Sequence, residues 1–108
     1  MIHHLISGAD WAAVQDAEEF RPATLEVEGF IHCCTPAQLS GVLERYFVGA
    51  TDIWVLDLDE SLLAAELRWE APADPRTGTA RTSPTTEKFP HVYGPINCRA
   101  VVDSRRVC

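Results

Sequence analysis

The chain has 108 residues, of which 46% are hydrophobic and 23% charged, the make-up of one soluble globular domain rather than of a disordered, collagen-like or coiled-coil chain. Nine lysines and arginines stand against sixteen aspartates and glutamates, a net charge of −7, which disfavours duplex nucleic acid as a partner because phosphate neutralisation needs cations. No apolar run is long enough to span a membrane and no basic, signal-like segment follows Met1, so a cytoplasmic protein without a membrane partner is expected.

Ile2-His3-His4-Leu5-Ile6 reads as a short strand, with Ile2, His4 and Ile6 on one face and His3 and Leu5 on the other. Ser7 and Asp10 resemble a helix start, and the alanine-rich stretch that follows predicts a helix from about Ala9 to Glu18. Pro22 restricts Arg21 and ends it, and residues 24 to 29 lead into a second strand at Phe30-Ile31-His32-Cys33, where alternation puts Phe30, His32 and Cys34 on one face. Thr35, Pro36 and Gln38 form a capping signature for a second helix. Its apolar face is Leu39, Val42, Leu43, Tyr46 and Phe47, and Gly49 is its stop.

Ile53 to Asp59 is a buried strand, residues 60 to 64 suit a single helical turn, and Glu66 to Glu70 alternates with Leu67 and Trp69 facing inward. Trp11, Trp54 and Trp69 are all expected in the core. From about 71 to 90 the chain is rich in proline and threonine, which predicts a long loop. Phe89 to Pro95 reads as a rigid, shaped loop with a short extended piece at Val92 and Tyr93, and Cys98 to Val107 as a last strand. The sum is a single α+β domain with a mixed, mostly antiparallel sheet and two main helices. Nothing in the sequence sets the oligomeric state.

Four cysteines, Cys33, Cys34, Cys98 and Cys108, show no C-x-x-C pair, and adjacent Cys33 and Cys34 point to opposite strand faces. Reduced thiols follow, with Cys33 a small buried hydrophobe. His4, His32 and His91 lie far apart in sequence in otherwise apolar or aromatic segments. If they converge, they suit hydroxyl or phosphate recognition or general acid and base work; apart, they are structural histidines. Glu70 and Arg68 share a strand face, where an acid beside a cleft can orient a hydroxyl and where a solvated ion pair is the plainer role. Arg21, Arg68 and Arg81 are the arginines placed to hold an anion. His4, His32, Cys34 and His91 as zinc ligands form a rival reading, although their spacing lacks a metal motif.

His4 in its strand, Gly29-Phe30-Ile31-His32-Cys33, Arg68-Trp69-Glu70 and Phe89-Pro90-His91-Val92-Tyr93-Gly94-Pro95, in this order, resemble the bacterial family catalogued as domain of unknown function 952, over nearly the whole chain. The chain departs from the family pattern at His3, where tyrosine is usual, at Cys34, where serine is usual, and in a long segment from Pro72 to Thr86. More loosely, the pattern is similar to the ADP-ribosyltransferase-like fold, a split sheet with a nicotinamide dinucleotide in its cleft. That resemblance implies that His4 holds a ribose hydroxyl, that His32 lines the nicotinamide side, and that Glu70 or His91 takes the later catalytic position. Arg21, Arg68 and Tyr93 join His4 and His32 as expected ligand contacts.

The leading expectation is thus binding of NAD or another ADP-ribose-like small molecule, with loss of nicotinamide as the reaction class. A non-catalytic module that binds a metabolite or a protein is the alternative, and a histidine and cysteine metal site the third.

Overall fold

The computed structural model describes residues 1–71 and 88–107. Eight strands and three helices follow in chain order: β1 (Ile2–Ser7), α1 (Gly8–Val14), β2 (Glu19–Phe20), α2 (Ala23–Glu28), β3 (Ile31–His32), α3 (Leu39–Tyr46), β4 (Ile53–Leu58), β5 (Glu66–Glu70), β6 (Phe89–Tyr93), β7 (Ile96–Asn97) and β8 (Val101–Arg106). The strands form two three-stranded sheets, ordered β1-β4-β8 and β3-β6-β5, and a small ribbon of β2 with β7. Every strand pairing among the described residues is antiparallel, so the parallel component of the expected mixed sheet is not among them. The two larger sheets meet at a single bridge, where His3 and Cys34 exchange backbone hydrogen bonds of 2.7 and 2.8 Å.

The core lies where these sheets face one another. Ile2, Leu56 and Leu58 come from the first sheet and Ile31 and Val92 from the second, all with no exposed surface. Trp11 of α1, Phe20 of β2 and Ile96 of β7 complete it. Period-two alternation sorts the second sheet cleanly. Ile31, Val92 and Leu67 are register partners on its core face, and His32, His91 and Arg68 are register partners on the other.

Several local expectations hold. Ser7 Oγ accepts the Asp10 N–H at 3.1 Å. The Thr35 and Gln38 hydrogen bonds are reciprocal, with the Thr35 N–H donating to Gln38 Oε1 at 2.9 Å and the Gln38 N–H to Thr35 Oγ1 at 3.3 Å, but they close the turn before the helix, which starts at Leu39 with Gln38 at its N-cap rather than at Pro36 after Thr35. Residues Glu60–Leu62 form one 3-10 turn capped by Asp59, and Gly49 takes a left-handed φ of 77° after α3.

Others need correction. The first helix ends at Val14, not Glu18. Acidic side chains at a helix C-terminus oppose its dipole, and the chain leaves the helix to bury Phe20 and pair Glu19 and Phe20 with Ile96 and Asn97. There are three helices rather than two, because Ala23–Glu28 is helical, closed by Gly29 at φ 84°; six residues are too few to show a helical period. Phe89–Tyr93 is not a loop but the central strand of its sheet. Pro90 hid it, since proline is rare in central strands; its carbonyl still accepts the Cys33 N–H at 3.1 Å. The last strand starts at Val101, after a 3-10 turn over Cys98–Ala100. Trp11 is in the core and Trp54 partly buried, but Trp69 is 46% exposed, as it sits at the far end of edge strand β5 opposite Pro90. Most of the 71–90 segment, with Arg81, lies outside the described residues, as does Cys108.

Candidate functional site

His4 projects from the core face of β1, between Ile2 and Ile6. Its ring lies 6.1 Å from that of Phe20, and its Nδ1 is 2.8 Å from the carbonyl oxygen of His32. A carbonyl only accepts, so Nδ1 carries the proton and Nε2 keeps its lone pair in the neutral ring. Burial pushes the His4 pKa below its ordinary value, and the hydrogen bond to His32 opposes that shift only in part.

His32 and His91 face each other across the β3 and β6 pairing, with ring centroids 5.6 Å apart in an edge-on arrangement. Phe30 stacks on His91 at 4.3 Å and contacts His32 at 4.9 Å. At the ring edge, His91 Nδ1 reaches Glu70 Oε1 at 3.0 Å. Tyr93 donates its hydroxyl to the same oxygen at 2.5 Å, and Arg68 lies over the Tyr93 ring at 4.2 Å. The Tyr93 hydrogen bond, with a further contribution from His91, holds the Glu70 carboxyl below the usual carboxylate range, against a smaller opposing effect of burial. The same bond pushes the Tyr93 phenol up.

A cavity of about 570 Å³ is bordered by His4, His32, His91 and Arg21, together with Phe20, Tyr46, Phe47 and Phe89. The structure therefore brings together the three histidines and Arg21. It places Glu70, Arg68 and Tyr93 outside the lining, behind His91, to which Glu70 is hydrogen-bonded. Arg21 is exposed and 3.5 Å from Glu19. His3, on the other face of β1, stands 2.7 Å from Asp57, whose two oxygens lie 3.0 Å from Nη1 of Arg105.

The aromatic side of the cavity was not read as a site from the sequence. Tyr46 and Phe47 carried the apolar signal of α3, and Phe20 lay in what looked like a helix end; the sign available in the sequence was Phe89 beside His91 in a shaped segment suited equally to function and to a packed turn. Cys34 borders the cavity, yet burial raises its thiol to about 12, and burial with the neighbouring Cys34 raises Cys33 as well. Neither is a thiolate at neutral pH, so a cysteine nucleophile has no support here. Among the described residues no three His, Cys, Asp or Glu side chains are grouped to hold a metal ion, and no helix is long and apolar enough to cross a membrane.

Comparison with known proteins adds the family. Protein CC0527 from Caulobacter crescentus is similar in its crystal structure, with a TM-score of 0.77 and 26% identity over 99% of this chain and 85% of that one. Its solution structure matches with a TM-score of 0.71 and 28% identity, over 96% and 81%. No curated protein matches the chain. The family model described as "Protein of unknown function (DUF952)" matches residues 5–104, and the chain belongs to that family.

Proposed function

We propose that this domain binds a small organic ligand of the NAD or ADP-ribose class in the histidine-lined cavity, and that cleavage of the ribose to nicotinamide bond is the reaction such a site serves. The observation that carries this reading is the meeting of His4, His32 and His91, from three separate strands, on one cavity of about 570 Å³. That volume lies within the range of small-molecule sites, roughly 300–1,000 Å³. Phe20, Tyr46, Phe47 and Phe89 offer apolar walls for a planar ring, the imidazoles offer hydrogen bonds to ribose hydroxyls, and Arg21 supplies a cation for a phosphate. Neutral His4 suits a reaction in which positive charge grows on the ribose, because it adds no opposing charge. The net charge of −7 and the presence of Arg21 alone among the arginines of the described lining favour a small ligand over a polynucleotide.

A second reading is a module that binds the same ligand without turnover. The placement of Glu70 outside the cavity lining favours it, since that carboxylate does not border the space a ligand would fill. Both readings are tested by titrating isotope-labelled protein with NAD and with ADP-ribose and following amide and imidazole shifts. Clustered changes at His4, His32 and His91 are expected, with His32→Ala weakening binding about tenfold, or about 1.4 kcal/mol. The absence of shifts at millimolar ligand overturns the ligand class; release of nicotinamide separates the enzyme from the binding module.

A further inference from the structure

We propose that His91 is the proton acceptor of this cavity and that Glu70 and Tyr93 are positioning residues that decide which of its nitrogens faces the ligand. The inference rests on the NAD or ADP-ribose reading above and assigns the role of one side chain within it.

The geometry begins with the ring of His91, which is 3% exposed and borders the cavity. Its plane is held by the stacked Phe30 ring on one side and the edge of His32 on another. A carboxylate only accepts, so Nδ1 donates to Glu70 Oε1 across 3.0 Å, and in the neutral ring Nε2 bears the lone pair. With Nδ1 engaged by Glu70, Nε2 is the nitrogen that we assign to the cavity that His91 borders. Among the described residues no group hydrogen-bonds that nitrogen.

Glu70 is in turn fixed by more than His91. It lies diagonally across the β5 and β6 pairing, whose register sets Arg68 opposite His91 and Glu66 opposite Tyr93. Tyr93 donates to the oxygen that receives His91, and Arg68 covers the Tyr93 ring. The carboxylate cannot swing to solvent without breaking both hydrogen bonds. A cross-strand pair that only stapled β5 to β6 would not need the imidazole to border a cavity.

In the step this supports, a water molecule attacks the anomeric carbon of the ribose. A new carbon to oxygen bond forms, the bond to the nicotinamide nitrogen breaks, and nicotinamide leaves as a neutral molecule with that electron pair. The proton released by the water passes to Nε2 of His91, and Glu70 keeps its charge throughout.

The test has two parts. Long-range nitrogen to proton correlation spectra of the ligand-free protein report the His91 tautomer; a single form protonated on Nδ1 is expected, turning to a mixture in Glu70→Ala. Nicotinamide release from NAD is then measured. His91→Asn, which keeps a donor towards Glu70, is expected to lower kcat by about 100-fold or more. Tyr93→Phe and Glu70→Gln are expected to lower kcat roughly tenfold with KM unchanged. A His91 protonated on Nε2, an unaltered tautomer in Glu70→Ala, or full turnover by His91→Asn overturns the proposal. So does wild-type protein that shifts on NAD addition but releases no nicotinamide, an outcome that leaves the binding reading standing. If NAD neither shifts the protein nor is cleaved, both readings fall.

Discussion

The imidazole of His4 donates a hydrogen bond from Nδ1 to the backbone carbonyl of His32 across 2.8 Å, tying β1 of one sheet to β3 of the other. The backbone bridge of His3 with Cys34, one residue before His4 and two after His32, joins the same two segments. The hydrogen bond to His32 also fixes the His4 tautomer, so that a structural hydrogen bond leaves the other nitrogen for chemistry.

Stability depends on pH through His4. Its pKa is lowered in the folded protein, chiefly by burial, from an ordinary value of 6.5. The unfolded chain then takes up the proton first as pH falls. The contribution of His4 is complete above the unfolded value and is lost as pH drops through the window below it, towards the folded value. Urea midpoints at about pH 7.5 and about pH 5.5 are expected to fall more in the wild type than in His4→Gln, which keeps a donor for His32. Equal falls in the two proteins would exclude this source.

Leu56 of β4 is fully buried and part of the central cluster. Leu56→Ala removes several methyl and methylene groups and leaves a void, at a cost of about 2–5 kcal/mol. Domains of this size hold only about 5–15 kcal/mol in total, so a clear drop in the melting temperature is expected. A change below about 1 kcal/mol in denaturant unfolding would contradict the packing described.

The capping box can be read separately from the core. Thr35→Ala removes the hydroxyl that accepts the Gln38 N–H and is expected to destabilise by about 0.5–2 kcal/mol. Gln38→Ala also loses the 2.8 Å hydrogen bond from Nε2 to the Lys88 carbonyl, so it should cost at least as much in the same urea titration. The reverse order would show that this longer-range bond contributes nothing.

Cys33 and Cys34 should resist alkylation in the native state. Both are buried, and the Cys34 thiol is raised to about 12, so the reactive thiolate is scarce at pH 8. Iodoacetamide labelling followed by mass spectrometry is expected to modify them only after denaturant is added. Fast native labelling of Cys34 would show that the cavity admits the reagent and lowers the barrier at that sulfur.

Local signals were legible wherever a segment carries its own pattern. Period-two alternation located β1 and β5, a dense apolar run located β4, and the box at Thr35 and Gln38 marked the turn that leads into α3. The α2 turn of helix was too short to display a period, and β6 was disguised by Pro90, so both were visible only in three dimensions. The family was legible because its motifs are spread along the chain in order.

The identity of the candidate residues was thus a property of the sequence: histidines in apolar segments, an acid and an arginine on one face of β5, and aromatics beside them. Their arrangement was not. Whether His4, His32 and His91 meet depends on how two sheets face each other, and whether Glu70 lines the cavity or stands behind His91 depends on the β5 and β6 register. Alternation along a strand tells which residues share a face, because it follows from backbone geometry alone. It carries no information on which strands pair or at what register, because those are decided by burial across the whole chain.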